Sequence, residues 1–308
     1  MKHISVLLNE SIEYLNINPN GVYVDCTLGG GGHSSEILKR LDKGHLYCFD
    51  QDDFARSKAK ARLDEIGSNY TIIPRNFVHL ESALNELGVE QVDGVLYDLG
   101  VSSFHFDDPS RGFSYNHDAP LDMRMNQEAT LTAQEIVNEY SFHELVKILF
   151  KYADEKNAKL IARGIEKYRK EKTIETTFEL VDVIKSSLPQ KILKKKGHPA
   201  KKTFQALRIA VNDELQVFEK SLYQAFDLLN KDGRIVVISF HSLEDRIAKN
   251  VMREKTTVDQ PRDIPLRPDE IIKPDFEMCH RKVIFPSNEE LEHNNRAHSA
   301  KLRAIKKI

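Results

Sequence analysis

Val22-Tyr23-Val24-Asp25-Cys26-Thr27-Leu28-Gly29-Gly30-Gly31-Gly32-His33 is the stretch on which the fold turns. A short apolar run predicts a buried strand over 22–26. The four glycines after it predict a tight turn whose backbone lets a ligand approach closely. Ile37, Leu38 and Leu41 then recur at helical spacing, so a helix begins beyond the glycines and offers free N–H groups at its start. The dinucleotide fingerprint G-x-G-x-x-G is not met, because its third glycine falls on Ser34 or Ser35. A nicotinamide dehydrogenase therefore ranks last among the enzyme readings.

The same alternation continues outward. Strands are expected over 45–50, 70–73 and 92–98, with helices over 52–66 and 79–87, the former capped by Asp52 or Asp53. Strands and helices joined by short loops imply a parallel sheet covered on both faces. Asp50 ends the second strand about 20 residues after the glycine turn, where an acid accepts hydrogen bonds from both hydroxyls of a ribose. Asp98 ends the fourth strand, at the carboxyl edge where open α/β sheets bind ligands. Phe77, just past the third strand, either packs on an adenine ring or belongs to the core.

The pattern breaks over 102–125, which is rich in Asp, Pro, Ser, Gly and aromatic residues, and a stretch of that kind is usually functional. Helices follow over 133–140, 142–152, 155–170 and 177–187, then a basic loop over 191–202. A helix over 204–229 leads to a core strand over 233–240. A helix over 242–253, a Pro-rich stretch over 261–274 and a last strand over 281–285 complete the chain. The expected domains are a Rossmann-like sheet made from 1–125 and 205–308, with an all-helical insert over 126–204.

The chain has 308 residues, 40% of them hydrophobic and 30% charged, enough for a sizeable core. It has no apolar run of the roughly 20 residues that cross a bilayer. The first residues lack a signal peptide's apolar stretch, so a cytoplasmic location is expected. Three distant cysteines, Cys26, Cys48 and Cys279, form neither a disulfide framework nor a zinc spacing, and no metal site is expected. Lys+Arg 45 against Asp+Glu 47 leaves a net charge of -2. Yet no acid occurs between Val183 and Asn212, nor after His293, and both stretches carry several Lys and Arg. Two basic patches on a near-neutral chain suit a polyanion bound at a defined place, although Lys194-Lys195-Lys196 reads equally well as a solvated loop.

An acid followed by a glycine cluster is similar to the S-adenosylmethionine loop of class I methyltransferases. Longer blocks resemble one bacterial family, the ribosomal RNA small subunit methyltransferase H (MraW) family. They include Asp25-Cys26-Thr27-Leu28-Gly29-Gly30-Gly31-Gly32-His33, Tyr97-Asp98-Leu99-Gly100-Val101-Ser102-Ser103, Arg111-Gly112-Phe113-Ser114-Tyr115 and Pro120-Leu121-Asp122-Met123-Arg124-Met125. Further on come His198-Pro199-Ala200-Lys201, Phe204-Gln205-Ala206-Leu207-Arg208, Ser239-Phe240-His241-Ser242-Leu243-Glu244-Asp245-Arg246 and Asn295-Arg296-Ala297-His298-Ser299. The resemblance implies a class I methyltransferase sheet and S-adenosylmethionine-dependent N4-methylation of a cytosine in 16S rRNA, in the decoding region of the small ribosomal subunit. It implies cofactor contacts at Gly31, Gly32, His33, Asp50, Phe77, Asp98 and His105. The family usually has Pro-Gln where this chain has Phe104-His105, and Arg where His298 stands.

Methyl transfer asks a protein for position and electrostatics. The cytosine amine is a weak nucleophile, so an acceptor for its hydrogen would help. The Asp/Asn-Pro-Pro-Tyr motif of many amino-methyltransferases is absent after the fourth strand, where Asp98-Leu99-Gly100-Val101 stands. Candidate acceptors are Asn212, His241 and Asp122, each with an alternative role in a cap or loop. Phe113 and Tyr115 either stack on the target base or anchor their loop. Lys194, Lys195, Lys196, Lys201 and Lys202 are candidate phosphate contacts, as is the C-terminal basic run. A different substrate on the same fold, or a non-catalytic ribosome-assembly factor, are the competing readings. A homodimer is allowed.

Overall fold

The structure is a computed structural model and describes residues 5–101, 108–258 and 273–308. The chain folds into two units, Met1–Gly100 with Leu215–Ile308, and Val101–Glu214. The second unit begins and ends outside the 126–204 read from the sequence, because residues on both flanks of that span join its core.

The first unit is a seven-stranded sheet of order β3-β2-β1-β4-β5-β7-β6. The strands are β1 (Val22–Asp25), β2 (His45–Phe49), β3 (Tyr70–Ile73), β4 (Val92–Asp98), β5 (Leu229–Ser239), β6 (Phe276–Met278) and β7 (Lys301–Lys307). β1 to β5 pair in parallel, whereas β7 is antiparallel to both β5 and β6. The strand order reverses between β1 and β4, which places a ligand crevice beyond their carboxyl ends.

Period-two alternation sends side chains to two apolar layers. Val24, Val95, Tyr97, Ile235 and Val237 face one layer with Phe218 and Phe226. Tyr23, Leu46, Leu96, Val236 and Ile238 face the other with Ile37 and Leu63. Helices α1 (Leu8–Leu15), α2 (Gly32–Leu38), α3 (Asp53–Asp64), α4 (Leu80–Glu86), α11 (Glu214–Leu228) and α12 (Ser242–Lys255) belong to this sheet. Asp52 caps α3 by accepting the N–H groups of Phe54 and Ala55.

Several of the described elements differ from the sequence reading; β6 and a helix over Asn288–His293 have no counterpart in it. α1 was not anticipated; it buries Ser11, Ile12 and Leu15. The long helix over 204–229 is two, α10 (Lys201–Asn212) and α11, because Asp213 takes a left-handed conformation with φ 48°. The last strand is β7, not 281–285, of which Ile284 alone makes an isolated bridge, to Leu302. Lysines and arginines had masked β7. Leu302, Ala304 and Ile305 are buried, while Lys301 and Arg303 pair with Asp245 at 3.1 and 2.8 Å and Lys306 pairs with Asp232 at 2.7 Å. The expected phosphate-gripping run thus has much of its charge matched inside the unit.

The second unit is helical, with α5 (Ala133–Glu139), α6 (Phe142–Ala153), α7 (Ala158–Tyr168), α8 (Thr177–Ser187), the single turn α9 (Gln190–Leu193), and α10. Its core gathers Ile136, Leu145, Leu149, Ile161, Ile165, Leu180, Ile184 and Leu207, together with Phe113, Leu121 and Met123 from the preceding loop. That is the physical reason residues before 126 belong to it.

Candidate functional site

The carboxyl ends of β1 and β4 bring two acids into one hydrogen-bonded group. Asp25 is buried and accepts the Thr27 N–H at 3.0 Å, the Thr27 hydroxyl at 3.3 Å and the Ser34 hydroxyl at 2.6 Å. Thr27 Oγ1 in turn accepts the Asp98 N–H at 2.7 Å. Thr27 and Ser34, which the sequence reading passed over, therefore lock the two strand ends to each other and to α2. The signal was present as Asp25-x-Thr27, but nothing local says which way the threonine turns.

Asp98 is the outstanding group. A quarter of its side-chain surface reaches solvent, yet Oδ1 is sealed from it and, among the described residues, has no hydrogen-bond partner. Oδ2 lies 3.5 Å from Nδ1 of the buried His33, whose Nε2 is 3.1 Å from the Val6 carbonyl. A carbonyl only accepts, so Nε2 carries a hydrogen. Burial, then the neighbouring Asp25 and Glu244 carboxylates, push the Asp98 carboxyl well above the usual range. Burial likewise raises Asp25, against the hydrogen bonds from Ser34 and Thr27. An orphaned buried oxygen is costly unless something meets it. A cationic ligand group with N–H donors would satisfy both its charge and its lone pair, so this position fits the ammonium-bearing part of S-adenosylmethionine.

Asp50, just past β2, ties the glycine turn in place. Its Oδ2 accepts the Gly29 N–H at 2.9 Å and its Oδ1 accepts the Asp52 N–H at 2.9 Å. A carboxylate that holds the glycine turn in this way stands where, in open α/β sheets, an acid after the second strand meets the ribose of a bound nucleoside. Gly31 has φ 72° and caps α2, and a Cβ there would lie 3.2 Å from Ala59 Cβ. A Cβ on Gly32 would strike Ser5 Oγ at 1.8 Å. Close packing of the turn against α3 and against Ser5 thus demands these two glycines whatever they bind. Phe77 is partly buried and meets Tyr97 edge-to-face, with centroids 5.8 Å apart. His105 lies outside the described residues.

The three candidate acceptors occupy different settings. Asn212, at the end of α10, accepts the Met125 N–H at 2.8 Å and donates to the Met123 and Arg208 carbonyls at 2.8 and 2.9 Å. It staples the loop that carries Asp122. Met123 sits in that loop at φ 64°, a left-handed conformation that a non-glycine residue adopts at a cost of about 1–2 kcal/mol. Asp122 forms a two-pronged ion pair with Arg124, at 2.8 and 2.7 Å. Burial pushes its carboxyl up, but Arg124 outweighs this and holds it below the usual range. His241 belongs to the first unit and caps α12, with Nδ1 accepting the Glu244 N–H at 3.4 Å. The buried Glu244 accepts the Phe240 and His241 N–H groups at 2.8 and 3.1 Å.

The aromatic residues divide. Phe113 is 4% exposed and lies in the second unit's core, so it anchors its loop rather than offering a face to a base. Tyr115 is partly buried and stacks on His198. Lys194, Lys195, Lys196, Lys201 and Lys202 are all exposed. Lys202 Nζ donates to the Asp154 carbonyl at 2.9 Å.

A parallel sheet with one antiparallel strand between its fifth and sixth, an acid-bearing glycine turn after β1 and acids ending β2 and β4 define a class I methyltransferase. The chain belongs to the MraW methylase family, whose model matches residues 1–308. It is 56% identical over 311 residues to the ribosomal RNA small subunit methyltransferase H of Streptococcus dysgalactiae subsp. equisimilis, spanning 99% of this chain and 98% of that one. Among solved structures it is similar to an rRNA methylase from Streptococcus thermophilus, at 12% identity and a TM-score of 0.45, covering 100% of this chain and 99% of that one. SMU.1697c of Streptococcus mutans, in complex with S-adenosylhomocysteine, matches at 12% identity and TM-score 0.45, covering 99% and 100%.

Proposed function

We propose that this protein transfers a methyl group from S-adenosylmethionine to N4 of a cytidine in the decoding region of 16S rRNA, acting on the small ribosomal subunit in the cytoplasm. The observation that carries the chemistry is the sealed, unpartnered Asp98 oxygen beside the glycine turn. Similarity along nearly the whole chain, at 56% identity, to a small subunit rRNA methyltransferase supports the substrate. The cofactor supplies an activated methyl on a sulfonium; the chain supplies binding and orientation.

In this reading Asp98 meets the ammonium end, Asp50 the ribose hydroxyls and Phe77 the adenine, with Gly31, Gly32 and His33 shaping the turn. His105 is a further contact by family pattern. For the base, Asp122 is held ionised by Arg124 and accepts a hydrogen bond from N4–H, drawing electron density onto the amine. Its lowered pKa suits it to orient that hydrogen rather than to keep the proton, which passes to water. Asn212 holds the Asp122 loop in position, and His241 orders the turn after β5. Lys194, Lys195, Lys196, Lys201 and Lys202 contact phosphates.

The test is to incubate the protein with methyl-labelled S-adenosylmethionine and small subunits lacking the modification, then digest the RNA and identify the labelled nucleoside. N4-methylcytidine at one decoding-region position is expected. Label on another nucleoside, or on protein, overturns the substrate assignment.

A further inference from the structure

Outside the cofactor region, the second unit carries an aromatic arrangement that the methyl-transfer chemistry does not use. Tyr115 and His198 lie face to face, with ring centroids 4.4 Å apart and planes within 5° of parallel. Behind them Phe204 meets Tyr115 at right angles, with centroids 5.6 Å apart, and is itself 3% exposed. The series therefore rises from a buried ring to two partly exposed ones.

The setting of His198 is unusual for a packing residue. It follows Gly197, which has φ 100° and no atom within 4 Å of where a Cβ would stand, so the loop beside the ring is open to solvent. Its Nδ1 accepts the Ala200 N–H at 3.3 Å, which fixes the ring's orientation from the buried Ala200. Burial, then the positive charge of Lys185, lowers its pKa and keeps the imidazole neutral at pH 7. A neutral, planar, oriented ring is a stacking surface rather than a charge. On both sides along the chain stand exposed lysines, Lys194, Lys195 and Lys196 before it and Lys201 after it.

Flat rings flanked by cations are how proteins hold single-stranded nucleic acid: bases stack on the rings while the backbone follows the positive charge. We infer that the Tyr115–His198 stack is a platform for one unpaired nucleobase of the RNA substrate, with the phosphates of the same strand held by the Lys194-Lys195-Lys196 loop. The inference rests on the rRNA reading above and assigns to it a base contact that is separate from the methylated cytidine's own site.

The platform is tested by fluorescence anisotropy with a labelled single-stranded RNA of the decoding-region sequence, intact and with each nucleotide near the target made abasic in turn. For the unaltered protein, one abasic position should weaken binding by roughly 10-fold, the scale of one lost base stack. In His198→Ala the intact RNA should bind roughly 10-fold more weakly, and the penalty at that position should vanish. The slope of affinity against salt should stay as it was, because no phosphate contact is touched. His198→Phe should restore affinity by restoring a flat ring. If no abasic position loses its penalty in His198→Ala, or if His198→Phe binds as weakly as His198→Ala, the platform is wrong and the rRNA reading stands. If the unaltered protein binds neither this RNA nor unmodified subunits, the rRNA reading falls and the platform with it.

Discussion

Two aspartates in this chain carry opposite consequences for pH. Asp98 holds its proton more tightly folded than unfolded, where a carboxyl titrates near about 3.9. Its contribution to stability is therefore full below that value and is lost as pH rises through the raised folded-state pKa. Asp98→Asn, which keeps the shape without the charge, should gain stability over the unaltered protein as pH rises from 5 to 8. Urea unfolding at the two pH values reads this directly; a difference that does not change with pH would place Asp98 among ordinary carboxylates. Asp50→Ala should weaken S-adenosylmethionine binding by about 1–3 kcal/mol, the scale of a lost buried polar partner. Calorimetry showing equal affinity would remove the ribose assignment. Asn212 is bound to three backbone groups of its surroundings, so Asn212→Ala should lower unfolding stability by about 1–3 kcal/mol. An unmoved urea midpoint would free its amide for a direct role at the base.

At the scale of elements, legibility followed local signals. The helices at 133, 142 and 177 were readable because each opens on a Thr or Ser whose oxygen accepts the N–H of a Glu three residues on, and that pattern is written in the chain. β7 was not readable, because its charged residues are neutralised by partners far away in sequence. Asp245 in α12, which reaches Lys301 and Arg303 across more than fifty residues, is the clearest case. Burial raises its carboxyl, but Arg303 and Lys301 outweigh this and hold it low, so its sign is the reverse of Asp98's. The stability it lends is present above about pH 3.9 and is lost as pH falls through its lowered folded-state value. Asp245→Asn should thus cost about 1.5–3 kcal/mol at pH 7, the range for hydrogen bonds to charged groups. The deficit should shrink toward pH 2. A deficit equal at both pH values would mean that packing, not charge, joins α12 to β7.

For the whole molecule, the strand ends that carry the proposed cofactor contacts were legible in sequence, and the exposure of the proposed substrate contacts was not. The glycine turn, Asp50 and Asp98 fall at the carboxyl ends of strands that the alternation with helices predicts. The substrate side depends on which aromatic and basic side chains a helical unit leaves exposed, and burial of Phe113 shows how little composition says about that. Charge makes the point on a larger scale. With a net charge of -2, the chain has no overall attraction for a polyanion, so recognition must be local and screened beyond about 8–10 Å at ordinary salt. β7 spends Lys301, Arg303 and Lys306 on internal partners, whereas Lys194, Lys195 and Lys196 are exposed in a segment without acids. Changing these three to Gln should weaken RNA binding and flatten its dependence on salt. Each single-strand phosphate contact contributes about 0.7 to the slope of log affinity against log salt, so three contacts would remove about 2 from it. Thermal unfolding of the same variant should be unchanged, because the side chains touch solvent. A full salt slope in that variant would assign the RNA's electrostatic grip to another surface.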